Sequence, residues 1–187
     1  MKFHYKKVIW TGRALLYSLF FEKFSLPSYI GKPLFISGWK KIQIGKRVRI
    51  FPNLRAEAIN DGKITISDNV YIGQNCHITS SGSELIIDEG SSIMANVCIT
   101  NIDHDYEKCD MSVLEQGITT RQTYLGKNCF IGHNAVIQAG AQLDDHVIVG
   151  ANSVVKRGKY PKNCVIVGAP ARIVKIYDDA LQEWVRY

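Results

Sequence analysis

The chain has no run of the ~18–20 apolar residues that a membrane span needs. Its best apolar stretch, Ala14 to Phe21, is short and bounded by Arg13 on one side and Glu22 and Lys23 on the other. Aromatic residues crowd that stretch and no small-residue cleavage site follows it, so a signal peptide is not expected. Paired cysteines are also missing. The five cysteines, Cys76, Cys98, Cys109, Cys129 and Cys164, form no C-x-x-C and are odd in number, which argues against a disulfide framework or a zinc site. Reduced thiols in a cytoplasmic protein are the plain expectation. Acids are scarce at the start: residues 1–49 hold 11 Lys/Arg against Glu22 alone, a net charge of +10. Residues 50–155 carry −8 and residues 156–187 carry +4, so the ends are basic and the middle acidic. Such asymmetry points to anionic partners near the ends. No nucleic-acid recognition motif accompanies it, and nucleic acid is not an expected partner.

What the sequence does have is a period of six. Leu125, Ile131, Ile137, Leu143, Val149 and Val155 follow one another at six-residue intervals. Two positions before each next member stands a mostly small residue: Cys129, Ala135, Ala141, Val147 and Ser153. Glycine follows the aliphatic mark at Gly126, Gly132 and Gly150. Shorter blocks repeat the pattern at Ile44 and Ile50, at Ile66, Ile72 and Ile78, and at Ile87, Ile93 and Ile99. The phase slips between blocks, which predicts short insertions near residues 56–65 and 79–86. Six is neither the helical 3.6 nor the alternation of an ordinary strand. It suits a short strand and a tight turn, three of which close a triangular coil of about 18 residues. The mark fills the interior, and Gly and Asn at the turns tolerate positive φ. Ile131 is then expected one coil below Val149, at the ordinary strand spacing.

This pattern, over roughly residues 36–175, resembles the hexapeptide-repeat acyltransferases, most closely the capsule and lipopolysaccharide O-acetyltransferases and the maltose and galactoside acetyltransferases. The resemblance implies a left-handed parallel β-helix, which periodicity alone does not. It also implies a homotrimer with active sites between adjacent subunits.

The repeat stops after Ile99 and resumes at Leu125, so residues 100–124 are expected to form an ejected loop, a natural place for function. Acetyl transfer to a hydroxyl needs a base, and a neutral imidazole suits that task near pH 7. His104 lies in the loop. The string Asp103–Tyr106 resembles the H-D-Y signature of the O-acetyltransferases, although the Pro of the maltose-type T-x-x-H-P string is absent. The resemblance makes His104 the base and Glu115, in VLEQG, its positioning partner, with Asp103 and Asp105 as competitors for that role. It places Asp103, Asp105, Tyr106 and Phe130 at the acceptor. Phe130 stands where relatives usually carry Trp, so an indole donor is lost. The C-terminal VIVGANSVVKR…VIVGAPARIVK resembles the family's I-G-A-G-S-V-V-T-K-D…G-x-P-A-R-x-I-R. By that match His133, Ala151, Lys156, Arg157, Arg172 and Lys175 are the expected contacts of acetyl-CoA, and no metal is required.

The expected organisation is an N-terminal helical arm over 1–35, the β-helix over 36–175 and a C-terminal helix over 176–187. The arm, with Lys2, Lys6, Lys7 and Arg13, either packs on the β-helix or a neighbouring subunit, or lies peripherally on the inner membrane. The reaction implied is acetyl-CoA-dependent O-acetylation of a bacterial surface polysaccharide or its sugar precursor. Nucleotide-sugar N-acetyltransferases usually carry a separate domain before the repeat, and the short arm here favours the hydroxyl. A third reading, a zinc carbonic anhydrase of this fold, would need His77, His104 and His133 to converge.

Overall fold

The computed structural model describes residues 5–187, with side chains from Lys7 onward. The chain winds as a left-handed parallel β-helix of seven turns, the last one incomplete. Each full turn lays one short strand on each of three faces. The first face stacks 23–24, 42–44, 63–66, 84–87, 124–125, 141–143 and 158–160. The second stacks 29–30, 49–50, 71–72, 92–93, 130–131, 148–149 and 164–168, and the third 35–37, 55–59, 77–81, 98–100, 136–137 and 154–155.

The six-residue marks are the interior. Leu125, Ile131, Ile137, Leu143, Val149 and Val155 have no exposed surface, nor do Ala135, Ala141, Val147 and Ser153. Ile131 registers between Ile93 below and Val149 above. Hydrophobic burial of each such column residue contributes about 1.5–3 kcal/mol, and the parallel ladders satisfy the backbone between turns. The expected insertions are present as extra residues in the turns at 60–62 and 82–83.

Asparagine and glycine divide the corner work differently from the expectation. Asn128, Asn134 and Asn152 carry the positive φ, at 55, 59 and 58°. Along the edge between the second and third faces Asn134 and Asn152 extend a ladder in which each Nδ2–H donates to the next Oδ1: Asn53, Asn75, Asn96, Asn134, Asn152. Asn128 stands on the edge between the first and second faces. Gly126, Gly132 and Gly150 are not in that region. They are needed because the next turn lies against them: a Cβ on Gly132 would stand 2.6 Å from the Ala151 backbone nitrogen.

Both ends depart from the sequence expectation. Among the described residues of the expected arm the helix is Tyr5–Tyr17 (α1), and the solenoid begins at Lys23 rather than residue 36. Phe24, Ile30 and Ile36 take the mark positions over Ile44, Ile50 and Ala56. The buried Ser28 fastens this turn, its hydroxyl donating to the Gly45 carbonyl and accepting from the Val48 N–H. The helix expected over 176–187 is a β-hairpin instead: Ala171–Asp178 runs antiparallel on Cys164–Gly168, and Glu183–Arg186 pairs back on it. The solenoid's open end offers unpaired backbone groups that a strand satisfies and a helix does not. Asp178 holds the hairpin turn, its Oδ1 accepting from the N–H of Ala180 and Leu181. Trp184 then packs on Tyr177 and His146.

Candidate active site

The ejected loop leaves the edge between the third and first faces as a two-stranded ribbon, Ile102–His104 against Ile118–Thr120. Its mouth is locked by two fully buried polar residues. Asn101 accepts the Ser81 N–H through Oδ1 and donates through Nδ2 to the Ser81 carbonyl and the hydroxyls of Ser80 and Ser83. Thr123 donates to the Thr100 carbonyl and accepts the Gly140 N–H. Arg121 N–H closes the stem onto the Asn101 carbonyl at 2.8 Å. Sequence reasoning missed both locks; a polar residue in an interior position beside the break in the repeat was the available signal.

His104 sits opposite Ile118 on this ribbon and is exposed. Alternation along a strand puts Asp103 and Asp105 on the opposite ribbon face from His104. Asp105 is engaged there, accepting the Thr119 hydroxyl at 2.7 Å. Glu115 lies in α2 (Val113–Gln116) at the loop's far end, where its carboxylate accepts the Ser112 N–H at 3.2 Å in a capping box. Such a box satisfies two otherwise orphaned donors. Gln116 staples the same segment, bonding both the N–H and the carbonyl of Lys108. Tyr106 is exposed at the ribbon's end.

The other expected residues fall in three further places. Lys156 and Arg157 are exposed on the ribbon's own edge, higher up the solenoid. Arg157 and Arg121 both lie against Gly140, their side-chain carbons 3.0 and 3.2 Å from where its Cβ would be. This pair of guanidinium side chains adds Arg121, which sequence reasoning did not single out. His133 and Ala151 occupy the asparagine edge, with Phe130 exposed on the second face beside them. Arg172 and Lys175 lie on the first strand of the C-terminal hairpin, opposite Val167 and Val165. Arg172 lies close enough to Tyr160 to favour its phenolate, although burial, the larger effect, still raises that hydroxyl's pKa. One chain therefore does not gather the loop residues and the expected coenzyme contacts at a single point.

The three histidines of the zinc reading do not converge. His77 is on the third face, its Nε2 within 3.2 Å of Glu57 and 3.0 Å of the Thr79 hydroxyl, while Arg55 pairs with Glu57 and holds that carboxyl below its ordinary pKa. Among the described residues no group of three His, Cys, Asp or Glu could hold a metal ion.

Residues 122–157 match the family described as bacterial transferase hexapeptide (six repeats). No curated protein matches the sequence. Among solved structures, the chain is similar to a variant of AntD, an N-acyltransferase from Bacillus cereus bound to dTDP-4-amino-4,6-dideoxyglucose and coenzyme A: identity 22%, TM-score 0.74, coverage 90% of this chain and 91% of that one. A hexapeptide-repeat acetyltransferase from Vibrio cholerae is 22% identical with TM-score 0.60, over 91% of this chain and 82% of that one. The acetyltransferase domain of PglB from Neisseria gonorrhoeae is 17% identical with TM-score 0.59, over 80% of this chain and 58% of that one. These likenesses establish the fold.

Proposed function

We propose that the protein transfers an acetyl group from acetyl-CoA to a sugar hydroxyl, with His104 as general base. The observation that carries this is the ribbon itself: an exposed imidazole on a stem whose mouth is fixed by buried Asn101 and Thr123. A neutral imidazole nitrogen accepts the hydroxyl proton as the oxygen attacks the thioester carbon, then returns it as the C–S bond breaks and the thiol leaves. Preorganisation of that base is worth more than its intrinsic basicity.

The paired Arg121 and Arg157 fit the phosphates of coenzyme A, since guanidinium groups bind phosphate through paired N–H donors. Lys156 extends this basic edge. His133 and Ala151 belong to a different edge, and Arg172 and Lys175 to the first strand of the C-terminal hairpin. A homotrimer, with one copy's ribbon facing another copy's edge, completes the site. Glu115 acts as a cap that shapes the loop rather than as the imidazole's partner. The acceptor is a glycan or glycan precursor of the bacterial surface.

A second reading, transfer to the amine of a nucleotide-linked amino sugar, is favoured by the likeness to AntD over nine-tenths of both chains. Thiol release from acetyl-CoA, followed with matched hydroxyl and amine acceptors, separates the two. His104→Ala is expected to lower kcat about 10²–10⁴-fold on the true acceptor, with unchanged thermal unfolding because the side chain is exposed. Full turnover by His104→Ala would remove its catalytic role; turnover confined to amines would select the second reading.

A further inference from the structure

The outer side of α1 is apolar. At 3.6 residues per turn, Trp10, Arg13, Ala14 and Tyr17 form the inner arc. Ala14 is fully buried, Trp10 packs on Tyr29 and Phe51, Tyr17 packs on Trp39, and Arg13 donates to the Ile30 carbonyl. The opposite arc, about 120° wide by the same geometry, holds Val8, Ile9, Leu15 and Leu16, and the turn that follows prolongs it with Leu19 and Phe20. These six side chains are between 52% and 71% exposed. The helix thus has two apolar sides, and the solenoid uses one. A contiguous ridge of this kind marks an interaction surface.

Its surroundings identify the partner. No acid occurs before Glu22. Lys40 is exposed at the ridge's end, where it donates to the Leu19 carbonyl, and exposed Lys23 follows Phe20 by three residues. Lys7 lies on the helix's inner flank, over the Tyr29 ring. The ridge lies in the segment that carries +10 over residues 1–49. Face-to-face contact with a second copy would bring like charges together. The helix has 13 residues, and no helix among those described is long and apolar enough to cross a membrane. Lys2 lies outside the described residues.

We propose that α1 lies flat on an anionic lipid bilayer, its ridge at the acyl boundary and the neighbouring Lys23 and Lys40 among the headgroups. Apolar insertion and electrostatic attraction then act together, as in interfacial helices. The solenoid stands on the surface by its first turns. This inference does not depend on the acceptor or on acetyl transfer.

The test is co-sedimentation of the full chain with vesicles of phosphatidylcholine alone or mixed with phosphatidylglycerol. Partitioning onto the anionic vesicles should be at least about tenfold stronger and should weaken with added salt. Replacing Leu15→Ser and Leu16→Ser together should reduce it about a hundredfold, judged from the apolar surface removed, with circular dichroism and thermal unfolding unchanged. Equal binding to both vesicles, or to neither, overturns the proposal. So does lipid-free self-association in sedimentation velocity that the double substitution abolishes, because the ridge would then be a contact between copies.

Discussion

Two glycine-to-alanine substitutions should move stability in opposite directions, and the structure states why. Gly132 is pressed beneath the next turn: an added Cβ would lie 2.6 Å from the Ala151 nitrogen and 2.8 Å from both the Gly150 carbonyl carbon and the Val149 oxygen. All three are backbone atoms, so no side chain can rotate away. Relief requires the two turns to part at that corner. That loosens the bond from Gly132 N–H to Val149 and the bond from Asn152 N–H to His133, now 2.9 and 2.8 Å. Two backbone bonds at about 0.5–1.5 kcal/mol each, with about 1–3 kcal/mol of overpacking, predict a loss of about 2–6 kcal/mol for Gly132→Ala. Gly12, on the exposed side of α1, has nothing within 4 Å of its added Cβ. There alanine relieves the entropic cost of glycine in a helix, and a gain of about 0.5–1 kcal/mol is expected. Denaturant unfolding followed by circular dichroism measures both. Gly132→Ala at wild-type stability would refute the close-approach reading of that corner and, with it, the account of why glycine follows the aliphatic mark.

Arg121→Ala and Arg157→Ala should each raise KM for acetyl-CoA about ten- to a hundredfold, the range for losing a hydrogen bond to a charged group, while leaving the unfolding transition in place; an unchanged KM would remove them from the donor site. Iodoacetamide at pH 8 should modify Cys109 first, since it is exposed while Cys76, Cys129 and Cys164 are buried. Burial pushes those three thiols up to about 11, leaving about one part in a thousand as thiolate at pH 8. Peptide mapping that finds Cys76 or Cys129 labelled at the same rate would contradict their position in the core. The same thiols stay protonated in the folded chain while the unfolded chain ionises near pH 9, so stability should fall as pH climbs from about 9 towards 11.

The solenoid core was legible because its determinant is local and repetitive. One aliphatic residue in six, with a small residue between, describes an interior that every turn rebuilds from its own sequence. The same rule reaches below residue 36: Phe24, Ile30 and Ile36 keep the spacing, which an aromatic mark and Pro27 disguise. At the other end Asp178, followed by Asp179, Ala180 and Leu181, reads as a helix start, yet the same carboxylate caps a hairpin turn. Short-range signals do not distinguish the two. The deciding term is the unpaired strand Cys164–Gly168, which accepts a neighbour only in extended form.

The candidate site divides along the same line. Sequence alone determined that an interruption after Ile99 carries His104, because a break in a strict period needs no coordinates to find. It did not determine the roles within the loop. The family resemblance suggests Glu115 as a partner for the imidazole, and the fold shows its carboxylate capping Ser112 N–H. Nor did it show that Arg121 comes to rest beside Arg157 against Gly140, or that Asn101 and Thr123 fix the ribbon's mouth. Those relations join residues far apart in the chain through stacked turns. The period dictates what lies inside a turn; only the stacking of turns decides which outward-facing residues become neighbours.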